Sequence, residues 1–245
     1  MVVSLPEPVA PPAEEPRQPP RLTVNREFLR KRRVILGDES SVAAQSYRML
    51  RAQILQRVRA TRTRAIGIVS ATTGEGKTLT AINLALSLAA EPNQAITLVD
   101  LDLKRPSVAR VLGVSPESGL ETWLAGTSPV SAVRYELEGL PRLRVVPTLA
   151  PIPGSSELLA GGRARQLFEE LAAGEPSGLS IVDLPPVLLS DDVLTAAALL
   201  EGFVVVITEG KTLREDVERV FELLGRSRIM GTVLNGSSAS EQRTY

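Results

Sequence analysis

From residue 65 onward the chain alternates short, unbroken apolar runs with stretches whose apolar residues recur every three or four positions. The unbroken runs predict strands buried on both faces at Ala65–Ser70, Ala95–Asp100, Leu143–Pro147, Leu179–Asp183, Phe203–Ile207 and Gly231–Leu234. The helical spacings fall between them, at Lys77–Ala89, Ser107–Leu112, Leu120–Ala125, Gly162–Ala173, Asp192–Leu200 and Leu213–Leu224. Upstream, Tyr47, Leu50, Ile54 and Val58 form one apolar stripe on a helix starting near Ser41, with Arg48, Arg51, Arg57 and Arg59 mostly off the stripe. Strands alternating with helices predict an α/β fold: a mostly parallel sheet with helices on both faces.

Composition narrows the chemistry. The 245 residues contain no cysteine and no histidine. Zinc sites, haem, iron–sulfur clusters, thiol nucleophiles and imidazole acid–base catalysis are thereby excluded. Carboxylates, Lys, Arg, hydroxyls and backbone amides remain. Apolar runs such as Ala196–Leu200 and Phe203–Ile207, separated by Glu201, fall short of the ~20 residues of a membrane span. No basic-then-apolar leader is visible, so a soluble, cytoplasmic protein is expected.

The net charge of zero hides an asymmetry: residues 17–64 carry thirteen Lys or Arg against three acids, and the rest of the chain is acidic. Such an arm suits a neighbouring copy, an acidic partner or anionic headgroups. Nucleic acid is not expected, because Phe28 and Tyr47 are the arm's few base-stacking candidates. Seven prolines among the first 20 residues predict an extended or disordered start. The expected organisation is a Pro-rich and basic leader over 1–40, a domain over 41–236 opening with a helix, and a flexible polar tail over 237–245.

The segment Ser70-Ala-Thr-Thr-Gly-Glu-Gly-Lys-Thr78 runs from a predicted strand into a predicted helix, the context of a Walker A loop in a P-loop NTPase. Its glycines, Gly74 and Gly76, let backbone amides face phosphates. Lys77 reaches the β/γ oxygens, and Thr78 supplies a hydroxyl to Mg²⁺. The stretch expected to cradle ATP is Thr73, Gly74, Glu75, Gly76, Lys77, Thr78 and Leu79. Ala71 replaces the first glycine of the strict pattern.

Two more strands end in acids. Asp100 and Asp102 lie two residues apart, on the same side of an extended strand, and Asp183 closes a β-branched run. In open α/β sheets the ligand sits at the carboxyl ends of the strands, so these acids are expected to converge with Lys77. With no histidine present, Asp100 or Asp102 is the expected base and Lys77 the electrostatic partner. Thr78, Asp102 and Asp183 are the candidate metal ligands.

These motifs resemble the bacterial tyrosine kinases of capsule and exopolysaccharide synthesis, the stand-alone cytoplasmic type, over roughly residues 41–236. Ala71–Thr78 resembles that family's Walker A, Val99–Pro106 its A′ motif, and Val182–Val187 its Walker B. Ser155–Leu159 resembles a further stretch between them. Tyr47–Arg51 resembles the ring-forming helix, whose E-x-x-R-x-x-R pattern falls on Gln45, Arg48 and Arg51. The resemblance implies an ATP- and Mg²⁺-dependent tyrosine autokinase, a homo-oligomer, and activation by the cytoplasmic tail of a membrane polysaccharide co-polymerase.

The departures are Gln45 for the ring glutamate, Leu184 for a Walker B hydroxyl residue, and a lone Tyr245 where the family carries a terminal tyrosine cluster. Tyr245 is the expected phosphoacceptor, and Tyr47 is expected to be packed. The alternative is an ATP-driven switch of the same fold that assembles without phosphorylating tyrosine. Partitioning ATPases are a more distant third, since Thr72 stands at the position of their signature lysine.

Overall fold

The computed structural model describes residues 19–36, 40–173 and 177–237. Its strands are β1 (Arg21–Leu22), β2 (Ala65–Ser70), β3 (Ile96–Asp100), β4 (Tyr135–Leu137), β5 (Leu140–Val146), β6 (Leu179–Asp183), β7 (Gly202–Thr208) and β8 (Ile229–Asn235). They form one sheet in the order β1-β4-β5-β3-β6-β2-β7-β8. Every neighbouring pair is parallel except β4–β5, a hairpin that turns through Gly139 at φ +78°. The main helices are α1 (Arg26–Lys31), α2 (Val42–Thr61), α3 (Lys77–Ala89), α4 (Val108–Leu112), α5 (Leu120–Leu124), α6 (Val130–Val133), α7 (Ser155–Ala160), α8 (Gly162–Ala173), α9 (Asp192–Ala196) and α10 (Arg214–Leu224).

Strand alternation divides the core in two. Ile66 and Ile68 of β2, with Val204 and Val206 of β7, pack on α3. Phe203 and Val205, one residue out of phase, join Val69 and Val182 against Leu167 of α8 and Val193 of α9. Helix α3 is buried from Thr80 through Ala89, because the sheet covers one side and α2 the other. That position explains its apolar character all round. On α2, Ser41 caps the helix through Oγ to Ala44 N (3.2 Å), and Ile54 and Leu55 point into the core.

The charged stretch expected as a loose leader is in fact built into the body from residue 20 onward. Leu22 pairs in parallel with Leu137. Asn25 caps α1 through Oδ1 to Phe28 N (3.1 Å), and Leu29 is buried. Buried Asn83 of α3 then takes both polarities of the passing backbone: Oδ1 accepts Ile35 N at 3.0 Å and Nδ2 donates to Arg33 O at 3.1 Å. The apolar anchors of this segment, Leu29 and Val34 with Leu22 and Phe28 beside them, are scattered among arginines without a readable period. The short α6, α7 and β4 escaped prediction because segments of three to six residues are too short to show a period.

Gly67 marks the tightest spot of the central strand. A Cβ there would lie 2.7 Å from Leu184 Cδ1 and 2.8 Å from Phe203 Cδ1, both in fully buried side chains. Gly67→Ala is expected to destabilise by about 1–3 kcal/mol, the usual effect of overpacking. Urea unfolding checks this, and wild-type stability would mean that the two neighbours can move aside.

Candidate functional site

The phosphate loop follows β2, the strand flanked by β6 and β7. Gly74 (φ +71°) and Gly76 (φ +88°) take the left-handed conformation that side chains disfavour. Gly76 is doubly constrained, since a Cβ would fall 2.0 Å from Asn235 Nδ2. Among the described residues, the non-glycines at positive φ are Arg33 and Arg62. Ala71 is therefore not strained, and its methyl is buried in the core beside β3 and β6 residues, which accounts for alanine in place of the first glycine. Leu184, the other departure, is fully buried and fills the space over Gly67.

Parallel pairing brings the two acidic strand ends together beside the loop: Asp100 sits in register with Asp183, and Asp183 with Ile68 of β2. Lys77, at the start of α3, donates from Nζ to Asp102 Oδ2 (2.7 Å) and to Asp183 Oδ1 (3.5 Å). Thr78 Oγ1 donates to Asp183 Oδ2 (2.6 Å) and lies 3.0 Å from Ser107 Oγ. Of the acids expected to converge with Lys77, Asp102 and Asp183 join it in one hydrogen-bonded cluster that also takes in Thr78, whereas Asp100 makes no hydrogen bond to Lys77.

Asp100 has a different task. Its Oδ2 accepts the amides of Ser107 and Val108, each at 2.9 Å, and Oδ1 accepts Asp102 N at 3.3 Å. It caps the start of α4 and shapes the turn carrying Asp102, so it is a framework acid rather than a free base. Among the described residues, the Asp102 carboxylate accepts only Arg105 N (3.1 Å) besides Lys77.

Burial governs the electrostatics. It is the main reason the Asp183 carboxyl is raised above the usual range, against the pull of Lys77 and Thr78. Burial and the Asp183 charge push Asp100 up to about 8, with the amides of Val108 and Ser107 opposing. Burial also disfavours the Lys77 ammonium, but Asp183 and Asp102 outweigh it and its pKa is raised. With three acids around one cation in a buried setting, Asp100 and Asp183 hold their protons more tightly than usual.

Side chains farther from the phosphate loop complete the surroundings. Lys104 bonds Asp191 (2.8 Å) and meets Asp192 Oδ1 at 3.3 Å, while Ser155 and Ser156 donate to Asp192 and Asp191 at 2.7 and 2.6 Å. The Ser155–Leu159 stretch is therefore tied to the loop after β6. Ser107, Asn235 and the Thr208–Thr212 turn were not singled out from sequence, because each reaches the loop only through the fold. Leu79, expected among the nucleotide contacts, packs partly buried against the α3 side of the core.

Of the three oligomerisation candidates, Gln45 and Arg48 are exposed on α2. Arg51 is committed within the chain: its guanidinium donates to Ser87 O (3.0 Å) and pairs with Glu91 (3.1 Å), at the end of α3. Tyr47 is packed between α2 and α3, and burial raises its hydroxyl pKa despite hydrogen bonds from Thr80 and Asn83. Tyr135 is buried with its hydroxyl on both Ser118 N and Ser118 O, each at 2.9 Å. Tyr245 lies outside the described residues.

A family model described as ParA, NUBPL iron-transfer P-loop NTPase, matches residues 61–244. Tyrosine-protein kinase YwqD of Bacillus subtilis (strain 168) is 31% identical over 229 residues, which cover 91% of this chain and 94% of YwqD. The succinoglycan biosynthesis transport protein ExoP of Rhizobium meliloti (strain 1021) is 27% identical over 89% of this chain, but that match spans only 28% of ExoP. The kinase domain of Escherichia coli tyrosine kinase ETK superposes with a TM-score of 0.77 at 27% identity, covering 91% of this chain and 93% of that domain. Without cysteine or histidine, this chain shares the family model's fold and phosphate loop but has no usual iron–sulfur ligands.

The raised Asp100 carboxyl makes stability depend on pH. Its pKa of about 8 in the fold exceeds the ~3.9 of an unfolded chain. The folded state therefore holds this proton more tightly, and the resulting stabilisation is complete below about pH 4 and lost as pH rises through 8. Without nucleotide, thermal midpoints should fall between pH 6 and 8.5, and Asp100→Asn should flatten that fall, leaving the part due to Asp183. A wild-type midpoint constant over this range would contradict the assignment.

Proposed function

We propose that this chain, which belongs to the bacterial tyrosine-protein kinases and to the ParA-type P-loop NTPases, transfers the γ-phosphoryl group of ATP to tyrosine in the control of exopolysaccharide or capsule synthesis. The observation that carries this reading is the single cluster of Lys77, Thr78, Asp102 and Asp183 at the mouth of the phosphate loop. Its surplus of acid suits a substrate that arrives with its own cation.

The triphosphate lies on the backbone amides of Thr73–Leu79, at the amino end of α3, where unpaired N–H groups and the helix dipole favour anions. Lys77 leaves Asp102 for the phosphate oxygens, and its release frees Asp102. The hydroxyl of Thr78 and the carboxylate of Asp183 are hard oxygen donors of the kind Mg²⁺ takes and would hold it, while Asp102 is left free of the metal. When bound, Mg²⁺ neutralises charge on the phosphate oxygens.

Asp102 is assigned as the base, because Asp100 already holds three backbone amides. As the tyrosine oxygen bonds to the γ-phosphorus, the bond to the β–γ bridging oxygen breaks, ADP leaves, and the phenolic proton passes to Asp102. Asp183 holds Thr78 and, with it, would hold the metal. Tyr245 is the proposed acceptor within the chain, because the hydroxyls of Tyr47 and Tyr135 are packed and hydrogen-bonded.

The ExoP match spans only part of a larger transport protein, which supports a partnership with the cytoplasmic tail of a membrane polysaccharide co-polymerase. Among the described residues no helix is long and apolar enough to cross a membrane. Under this proposal the chain works in the cytoplasm, at the inner face of the membrane, as a homo-oligomer joined through the α2 face bearing Gln45 and Arg48. Arg51 braces α2 against α3 instead of reaching a neighbour.

Purified protein incubated with γ-labelled ATP and Mg²⁺ should acquire label on tyrosine. Lys77→Met should remain folded by circular dichroism and lose the transfer. Asp102→Asn should keep its affinity for MgADP but lose about 10²–10⁴ in rate, the usual contribution of a general base. Asp183→Asn should shift the Mg²⁺ requirement upward. If all three variants behaved alike, the separate roles would be wrong.

Mass spectrometry locates the acceptor: at most one phosphate per chain is expected, on Tyr245. Label on Tyr135 would contradict its buried position. Free phosphate with no labelled protein would favour a hydrolysing switch of the same fold.

A further inference from the structure

The phosphate loop is also supported from outside the nucleotide motifs, through Glu75. Glu75, between the two loop glycines, is 1% exposed. Its Oε2 accepts Thr72 N (3.0 Å), and Oε1 accepts both Thr72 Oγ1 (3.0 Å) and Thr212 Oγ1 (2.7 Å). These three donors are neutral. A buried carboxylate held only by neutral donors is unfavourable by itself, and beside a polyanion it adds repulsion. Its hydrogen-bonding geometry must compensate.

Those bonds join the loop to the turn after β7. Thr212 Oγ1 also accepts Thr208 N (2.9 Å), so one hydroxyl sets the turn's shape and fastens it to Glu75. Thr208 Oγ1 and Asn235 Nδ2 donate to the Glu75 carbonyl, each at 3.0 Å. Lys211 Nζ donates to Thr73 O and stands 3.0 Å from where a Gly74 side chain would begin. Thr208, Lys211, Thr212 and Asn235 thus clasp the outside of the loop and leave its inner amides for a ligand.

We propose that Glu75 is a positioning residue for phosphoryl transfer, holding the phosphate loop in its binding shape by bridging Thr72 to Thr212. Nucleotide affinity then depends on a turn that lies outside the three nucleotide motifs. The inference rests on the reading that phosphates bind at Thr73–Leu79. Wild-type binding of MgADP, together with its loss in Lys77→Met, tests that reading separately.

Calorimetric titration with MgADP, paired with thermal midpoints, tests the clasp. Glu75→Met and Thr212→Val should each weaken binding about tenfold, the effect expected when a hydrogen bond to a charged group is lost. The double variant should be no weaker than the weaker single one, because both break the same bridge. Glu75→Gln, which keeps an acceptor for Thr72 N, and Thr212→Ser, which keeps the hydroxyl, should restore most of the affinity. If Glu75→Met fails to fold, the Thr212→Val and Thr212→Ser pair decides the question alone. Unchanged affinity in Thr212→Val, multiplicative losses in the double variant, or affinity that merely follows the thermal midpoint would each overturn the proposal.

Discussion

The site depends on one ammonium among three buried carboxylates. Asp100, Asp102 and Asp183 end neighbouring strands, and their mutual repulsion in a low-dielectric setting would drive them apart without Lys77. Lys77 holds Asp102 and Asp183, while Asp100 is held by backbone amides and keeps its proton to higher pH. The same Lys77 opens α3, the helix around which one half of the core is packed. Phosphate site and core therefore share a covalent origin. Under the proposed function, an incoming phosphate competes with two carboxylates for Lys77, and a cation arriving with it keeps the acids compensated.

That electrostatic arrangement separates residues that look equivalent. Asp100 and Asp102 occupy the same side of the same strand end, yet one caps a helix and the other faces the lysine. The difference arises in the turn from Asp102 to Ser107, which folds back so that its amides reach Asp100 and leave Asp102 facing Lys77. The proposed mechanism needs a carboxylate that can exchange partners during the reaction, and it assigns that role to Asp102.

The loop itself is held from both sides. Inside, glycine conformations and the α3 terminus present amides to a ligand. Outside, Glu75 and the turn after β7 restrain the backbone that carries those amides. Preorganisation of this kind matters for phosphoryl transfer, where catalysis is mostly positioning and charge stabilisation. It also explains how the loop tolerates Ala71: the strained positions are further along, at Gly74 and Gly76.

Much of this architecture was legible from the residues alone. Ala65–Ser70, Lys77–Ala89, Gly162–Ala173 and Leu179–Asp183 fall where hydrophobic periodicity puts them, because each buries a full face and the period records that burial. Lys77, Thr78 and the strand-end acids were legible because phosphate chemistry restricts residue type and spacing. The sequence did not reveal that residues 20–36 join the body through Leu29 and Asn83, or that Arg51 is taken up by Ser87 and Glu91. Nor did it distinguish Asp100 from Asp102, or bring Thr212 and Asn235 to the loop. Local pattern records what a segment buries and which backbone conformation it prefers. Which partner a polar group finds tens of residues away is decided only when the sheet order and the crossovers bring the two into contact.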